Sequence, residues 1–260
     1  MLRRPLRTAL VLSAALAMPA LRASADDPLP KAEDVLDKYV EATGGKAAYE
    51  KLKNRVAKGT MEIVGAGLKG KLVAYQAPPN KTKTEVEFEN LGKIVEATDG
   101  NVVWEVNPIT GDRVIEGDEK AEKLLHNAFN GELRWKEMYD KAECTGVEDV
   151  NGKPAYKVVL TPKAGAGKPT TEFYDKASHL QVKSLTTAKT PMGELEVEMY
   201  PSDYKKVDDV LIAHKVTQKL LTQEIAVTMT EIKHNVDLPP DTFKVPDAIK
   251  PLLEKKKDEK

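Results

Sequence analysis

Cysteine, histidine and tryptophan are all scarce here: one, four and two among 260 residues. Each scarcity removes a class of explanation. A lone Cys144 cannot close an internal disulfide, so the fold has to be held by its core. Its sequence neighbours, Glu143 and Thr145, bring no cation to lower its pKa, and a buried inert thiol is expected. The histidines, His126, His179, His214 and His234, lie far apart, with no pair at i, i+4 and no cysteine cluster beside them. Surface or strand-edge positions are expected for them, and no metal site or cofactor. Past residue 25 the serines are Ser178, Ser184 and Ser202, none in a G-x-S-x-G elbow. No catalytic residue is assigned, and an enzyme is the minor expectation.

Long apolar runs are lacking too. The longest, "TALVLSAALAM", is too short to span a bilayer. It follows Arg3, Arg4 and Arg7 and precedes the small-residue stretch "ASA" at 23–25, the pattern of a secretory signal peptide over residues 1–25. No cysteine follows it to accept a lipid. The expectation is a soluble exported protein, periplasmic in a Gram-negative cell. Residues 26–260 then hold 36 Lys+Arg against 41 Asp+Glu, a net charge of about -5. That balance argues against nucleic acid as a partner.

Glycine-rich phosphate loops are also missing in any usable form. "GAGLKG" at 65–70 spells the glycines of a dinucleotide loop, but the "KLVAYQA" after it alternates like a strand instead of opening a helix. A hairpin turn is the expectation. "KAGAGKPT" fails in the same way, with Pro169 and a strand behind it.

What is present is periodicity. In "PKAEDVLDKYVEATGGKAAYEKLKN" the residues Val35, Leu36, Tyr39 and Val40 recur at helical spacing, Gly44 and Gly45 end the helix, and a shorter turn carries Tyr49 and Leu52. After Asn54 the period becomes two. "TMEIV", "KLVAYQA", "KTEVEFEN" and above all "ELEVEMY" set apolar residues against Thr, Lys and Glu, giving strands with one wet and one apolar face. Asp99-Gly100, Asn151-Gly152, "APPN" and "TPMGE" supply turns. One helical insertion, "DEKAEKLLHNAFNGELRW", interrupts the run, with Leu124, Leu125 and Phe129 on one side. About ten or eleven strands are expected, in one domain over 26–252, followed by a charged, flexible tail at 253–260. So many strands and so few helices predict a mainly β (α+β) fold. The expected form is a barrel or half barrel with helices packed into its concave side.

The stretch "TDGNVVWEVNP" resembles the strand pair of LolA-type proteins, the periplasmic carriers that ferry lipoproteins from inner to outer membrane. "LVAYQAPPNKTKTEV", "VVLTPK" at 158–163 and "DTFKVPDAI" fall in that family's order, so the resemblance spans most of the chain. It implies an unclosed, roughly eleven-stranded antiparallel half β-barrel, with helices packed as a lid on the concave face over an apolar cavity for acyl chains. The wall implied is Trp104, Val102 and Val106 together with Met61, Ile63, Leu72, Val86, Phe88, Leu195, Val197 and Met199; the alternative is that these side chains simply pack against the helices carrying Tyr39 and Leu125. Where the carriers have an arginine before the proline that follows the second strand, this chain has Ala77. Either another residue closes the lid, or the cavity stands more permanently open.

Three functional classes follow. The first is a monomeric carrier that shelters a lipid or an acylated lipoprotein between membrane-bound donor and acceptor proteins. The second is an envelope sensor on the same scaffold that recognises a lipoprotein or protein partner. The third is an enzyme with scattered residues and a polar pocket.

Overall fold

The computed structural model describes residues 28–190 and 193–258. The expected signal peptide, and Pro191 and Met192 of the "TPMGE" turn, lie outside them. Thirteen strands are present: β1 (Arg55–Val64), β2 (Leu68–Ala77), β3 (Lys81–Phe88), β4 (Gly92–Thr98), β5 (Val103–Val106), β6 (Arg113–Ile115), β7 (Tyr139–Val150), β8 (Lys153–Pro162), β9 (Thr170–Asp175), β10 (Gln181–Thr190), β11 (Gly193–Val207), β12 (Val210–Leu220) and β13 (Gln223–His234). The excess over the expected number has identifiable sources. β6 is three residues long, and β7 is an edge strand whose charges fall on both faces, so neither shows clean alternation.

All thirteen form one sheet in the order β6-β5-β4-β3-β2-β1-β13-β12-β11-β10-β9-β8-β7, with every pairing antiparallel. Two meanders, β1–β6 and β7–β13, are thus sewn together at the centre by the β1–β13 pair, with β6 and β7 as the free edges. A sheet this wide, twisted as strands twist, curls; left unclosed, it is a half barrel. Because β6 and β7 are consecutive in the chain yet at opposite edges, residues 116–138 have to cross the sheet. They do so on one face, as α3 (Gly117–His126), a 3-10 turn (Gly131–Leu133) and α4 (Trp135–Met138). The N-terminal helices α1 (Ala32–Ala42) and α2 (Lys46–Tyr49) pack on that same face, which is the concave one.

Local chemistry seats these elements. Asn151 and Gly152 both have positive φ, 54° and 81°, as the two-residue primed hairpin turn joining β7 to β8 requires. Gly59 sits at a bulge of β1 where a Cβ would come within 2.0 Å of the Thr228 carbonyl oxygen, so only glycine lets the two central strands approach. α1 ends in a glycine turn in which Gly45 N–H donates to the Val40 carbonyl at 2.8 Å. The turn is pinned to β12 by Leu211 N–H donating to the Thr43 carbonyl at 2.8 Å. Two register shifts in β7, at Tyr139/Lys141 and at Cys144/Gly146, bend that edge.

On the concave face, Val35 and Leu36 of α1 pack with Tyr139, Val158, Leu160 and Tyr174 of β7–β9, and Tyr49 and Leu52 pack with Phe129 and Val210. The expected tail begins inside a helix, α5 (Lys250–Asp258), and "LL" does not dangle. Leu252 and Leu253, with Ile249, lie on the opposite, convex face against Ala97, Trp104 and Val114. Trp104 is 2% exposed there. Trp104→Ala therefore opens a cavity beneath α5 and should cost about 3–5 kcal/mol in urea unfolding. Its uptake of an acyl probe at temperatures where it is folded should match that of the wild type.

Candidate functional site

Register decides which side chains share a face, because residues directly opposite in a ladder point the same way. Met61 pairs with Gly70 and Val227, Ile63 with Leu68 and Ile225, and Leu72 with Val86, while Phe88 lies across from Gly70. Through Ile225–Gln218–Met199 and Leu220–Val197 the same face continues onto β11, where Leu195 lies two residues before Val197. Eight of the eleven expected wall residues, Met61, Ile63, Leu72, Val86, Phe88, Leu195, Val197 and Met199, are thus brought together on the concave face.

Val102, Trp104 and Val106 are not among them. Ile94 and Glu96 of β4 share the face of Val86, whereas Ala97 pairs with Trp104 and Val95 with Val106, which turns both outward to the convex side. Val102 packs in that same outer cluster. The expectation that Trp104 faces inward with the others is corrected, and the reason is physical. At this edge the sheet is covered on both sides, by α3 within and α5 without, so Val103 and Trp104 are both buried and alternation cannot tell in from out.

The concave face divides into two regions. In the first, buried Leu72, Val86 and Phe88 are ringed by half-buried Met61, Leu68, Ile94, Val227 and Met229, and no residue of any described helix joins this cluster. It is an apolar floor with a buried centre and a half-buried rim. The second lies under the helices and is of mixed lining, with Leu36, Leu125, Met138 and Leu160 beside polar groups. A cavity of about 190 Å³ is lined by Tyr39, Glu132, Trp135, Glu172, Tyr174 and Gln181 among others. It adjoins a second of about 220 Å³ that shares Tyr39, Glu132 and Gln181 and adds Tyr49, Arg55 and Tyr204.

Hydrogen bonds order this chamber. The Tyr174 hydroxyl donates to the Glu172 carboxylate. Tyr49 O–H donates to Thr43 Oγ1 at 2.8 Å, and Tyr204 O–H donates to the Gln181 carbonyl at 2.9 Å. The rings of Tyr39 and Tyr174 stand 5.3 Å apart, tilted by 57°. Burial, helped by the charge of Glu132, holds the Glu172 carboxyl above the ordinary carboxylate range against the opposing bond from Tyr174. Burial likewise raises the phenols of Tyr39, Tyr139 and Tyr174, and it depresses His126, with Lys123 adding to the effect. Every tyrosine of the chamber is therefore a neutral hydroxyl at physiological pH. Sequence reasoning treated the glutamates as the solvated face of the sheet and missed Glu172. Its one signal was position: in "TTEFYD" it alternates in phase with Tyr174, not with Phe173.

The lid is tied down by polar contacts. Lys123 reaches Glu96 at 2.7 Å, and Arg113 clamps Glu105 at 2.7 Å and Glu119 at 2.8 Å, which fastens α3 to β4–β6. Beside Ala77, the Phe129 N–H donates to the Pro79 carbonyl at 2.9 Å, and the Arg55 guanidinium lies 5.9 Å from the Phe129 ring centroid. Arg55 also donates from Nε to His234 Nε2 at 3.1 Å, and His234 Nδ1 stands 2.8 Å from Asp208. His214 and His234 are buried, not surface residues as expected. Cys144 is half-buried on the α1 cluster, and burial raises its thiol pKa.

No family model matches the sequence, and no curated protein does. Solved structures do match. A DUF1329 family protein from Desulfovibrio piger is 14% identical, with a TM-score of 0.58 over 82% of this chain and 97% of its own. A domain assigned to outer membrane lipoprotein sorting, from Vibrio parahaemolyticus, is 16% identical, with a TM-score of 0.56 over 82% and 97%. A LolA superfamily protein from Nitrosomonas europaea is 11% identical, with a TM-score of 0.55 over 83% and 98%. The chain has the LolA-like fold.

The raised pKa of Glu172 has a signed consequence. A carboxyl that holds its proton more tightly when folded favours the folded state at low pH and disfavours it as pH rises through its folded pKa. Glu172→Gln should therefore unfold at a higher temperature than the wild type near pH ~8, with the gap closing towards pH ~4, in thermal scans across that range.

Proposed function

We propose that this half barrel is a periplasmic carrier or binding protein that shelters the acyl chains of a lipid or lipoprotein, with no covalent chemistry of its own. One observation carries the reading: the apolar floor around Leu72, Val86 and Phe88, with its half-buried rim, to which no described helix contributes a side chain. A contiguous apolar surface on a curved sheet, rimmed by charged strand ends, is the mark of a binding site for something apolar. Hiding an acyl chain from water is worth about 0.8 kcal/mol per methylene, so a chain of about sixteen carbons needs more than 10 kcal/mol of shelter. Side chains from β1, β2, β3, β11 and β13 offer such a surface without any residue having to react.

The likeness in fold to a lipoprotein-sorting domain and a LolA superfamily protein supports the same reading. So do the secretory pattern at the N-terminus and the absence, among the described residues, of a helix long and apolar enough to cross a membrane. Cargo passes along by relative affinity: the carrier holds the chain more loosely than its acceptor and more tightly than water. Membrane-bound donor and acceptor proteins complete the route, and a net negative surface keeps nucleic acid away.

Met61 and Val227 face each other across the central β1–β13 seam and are half-buried, so a charge at either site is tolerated by the fold and poisons the floor. Met61→Glu and Val227→Glu should each lower uptake of a palmitoylated peptide by about tenfold or more while leaving the unfolding midpoint near that of the wild type. Native mass spectrometry of the exported protein, before and after adding the peptide, reads the uptake. Undiminished loading of both variants, or none of the wild type, would overturn the reading.

A further inference from the structure

The chamber under α1 is lined by two carboxyl groups and by no lysine or arginine. Glu172 is half-buried in the cavity wall, and no lysine or arginine pairs with it; Tyr174 bonds one carboxylate oxygen, and the other, Oε1, accepts nothing from the described residues. A second carboxylate, Glu132, lines the same space. The cationic groups nearby are spoken for. The pKa of His126 is lowered, in part by the charge of Lys123, which disfavours its cationic form, and Arg55, in the adjoining cavity, is engaged by His234 and Gln76. The wall also carries the rings of Tyr39, Trp135, Tyr139 and Tyr174, set among aliphatic side chains such as Leu36 and Leu160.

Buried carboxylates are normally matched by a cation, and aromatic rings attract cations through their electron-rich faces. A bare metal ion would want more oxygen ligands than two separated carboxylates supply, and no cluster of three or more acidic, His or Cys side chains exists among the described residues to hold one. The volume, about 190 Å³, is that of a single small group: an engineered cavity of about 150 Å³ takes up benzene. We propose that this chamber binds an alkylammonium group, held by Glu132 and Glu172 and enclosed by the rings of Tyr39, Trp135 and Tyr174. The group arrives as a free small amine or as the amino head group of a lipid. In the second case the head group occupies the chamber while the acyl chains lie on the apolar floor beyond the lid. The free-amine case does not depend on the acyl reading.

Among the neutral hydroxyls of Tyr39, Tyr139 and Tyr174 and beside the charge of Glu132, the Glu172 carboxyl is raised above its ordinary range, and an ammonium partner opposes that shift by favouring the ionised form. Affinity accordingly rises with pH through the carboxylate's titration.

The test is isothermal titration calorimetry on the full exported chain with choline and with ethanolamine, using sodium chloride as the blank, at several pH values. Saturable binding is expected, tightening as pH rises, weakened about tenfold or more by Glu172→Gln, and unchanged in Met61→Glu, which disables the floor alone. Short-chain phosphatidylethanolamine and phosphatidylglycerol identify the source. A lipid source requires the ethanolamine lipid to bind more tightly than free ethanolamine and to lose that advantage in Glu172→Gln. Free amines binding as tightly as the lipid point to a small soluble ligand. Absence of saturable heat from both amines up to roughly 10 mM, or equal affinity in wild type and a folded Glu172→Gln, overturns the proposal. Neither result touches the palmitoyl-peptide measurement, so the two readings fail separately.

Discussion

The pairing of β1 with β13 organises this molecule. It joins the first and last strands of the sheet at its centre, so the two strands that adjoin in sequence, β6 and β7, are driven to the far edges. The chain must then recross the full width of the sheet, and that crossing becomes the lid. Close approach at the seam depends on Gly59, where a side chain would strike the Thr228 carbonyl. An antiparallel meander closed β13-to-β1 at its edges would have been an ordinary barrel; closed at its middle, it is a trough with a built-in strap.

The strap covers only part of the trough, and the two parts differ in chemistry because they differ in neighbours. Where helices face the sheet, their side chains bring hydroxyls and carboxylates into a confined space, and low dielectric makes each of those groups consequential. Where no described helix contributes a side chain, apolar residues form a buried centre with a half-buried rim. An apolar surface and a charged, aromatic chamber on one concave face suit a molecule that is itself two-part.

Much of this was legible in the sequence. Alternation in "ELEVEMY" put Leu195, Val197 and Met199 on one face, and the helix at 32–42 with its glycine stop falls where the spacing of Val35, Leu36, Tyr39 and Val40 places it. The resemblance to the LolA-type carriers gave the half barrel. Legibility failed where local pattern is silent about what lies across space. "NVVWEV" is apolar on both faces because two separate helices cover it, so Trp104 reads equally well inward or outward. The C-terminal "LLEKKK" looks like a solvated tail until Leu252 and Leu253 meet that tryptophan from 150 residues away. Glu172 resembles every other strand glutamate in composition, and only the tertiary position of α1 makes it an interior group.

An open sheet leaves two rows of backbone donors and acceptors that could recruit a further strand, from another copy or from a passing chain. The two rows here are blunted differently. β6 is three residues long and offers almost nothing to template. β7 is twelve residues long, but its two register shifts interrupt the ladder and its sequence sets Asp140, Lys141, Glu143, Glu148 and Asp149 along the margin. A would-be fourteenth strand meets a kinked, charged border. The trough thus stays open without lengthening into a fibre, a protection that complete closure gives other barrels by having no margin at all.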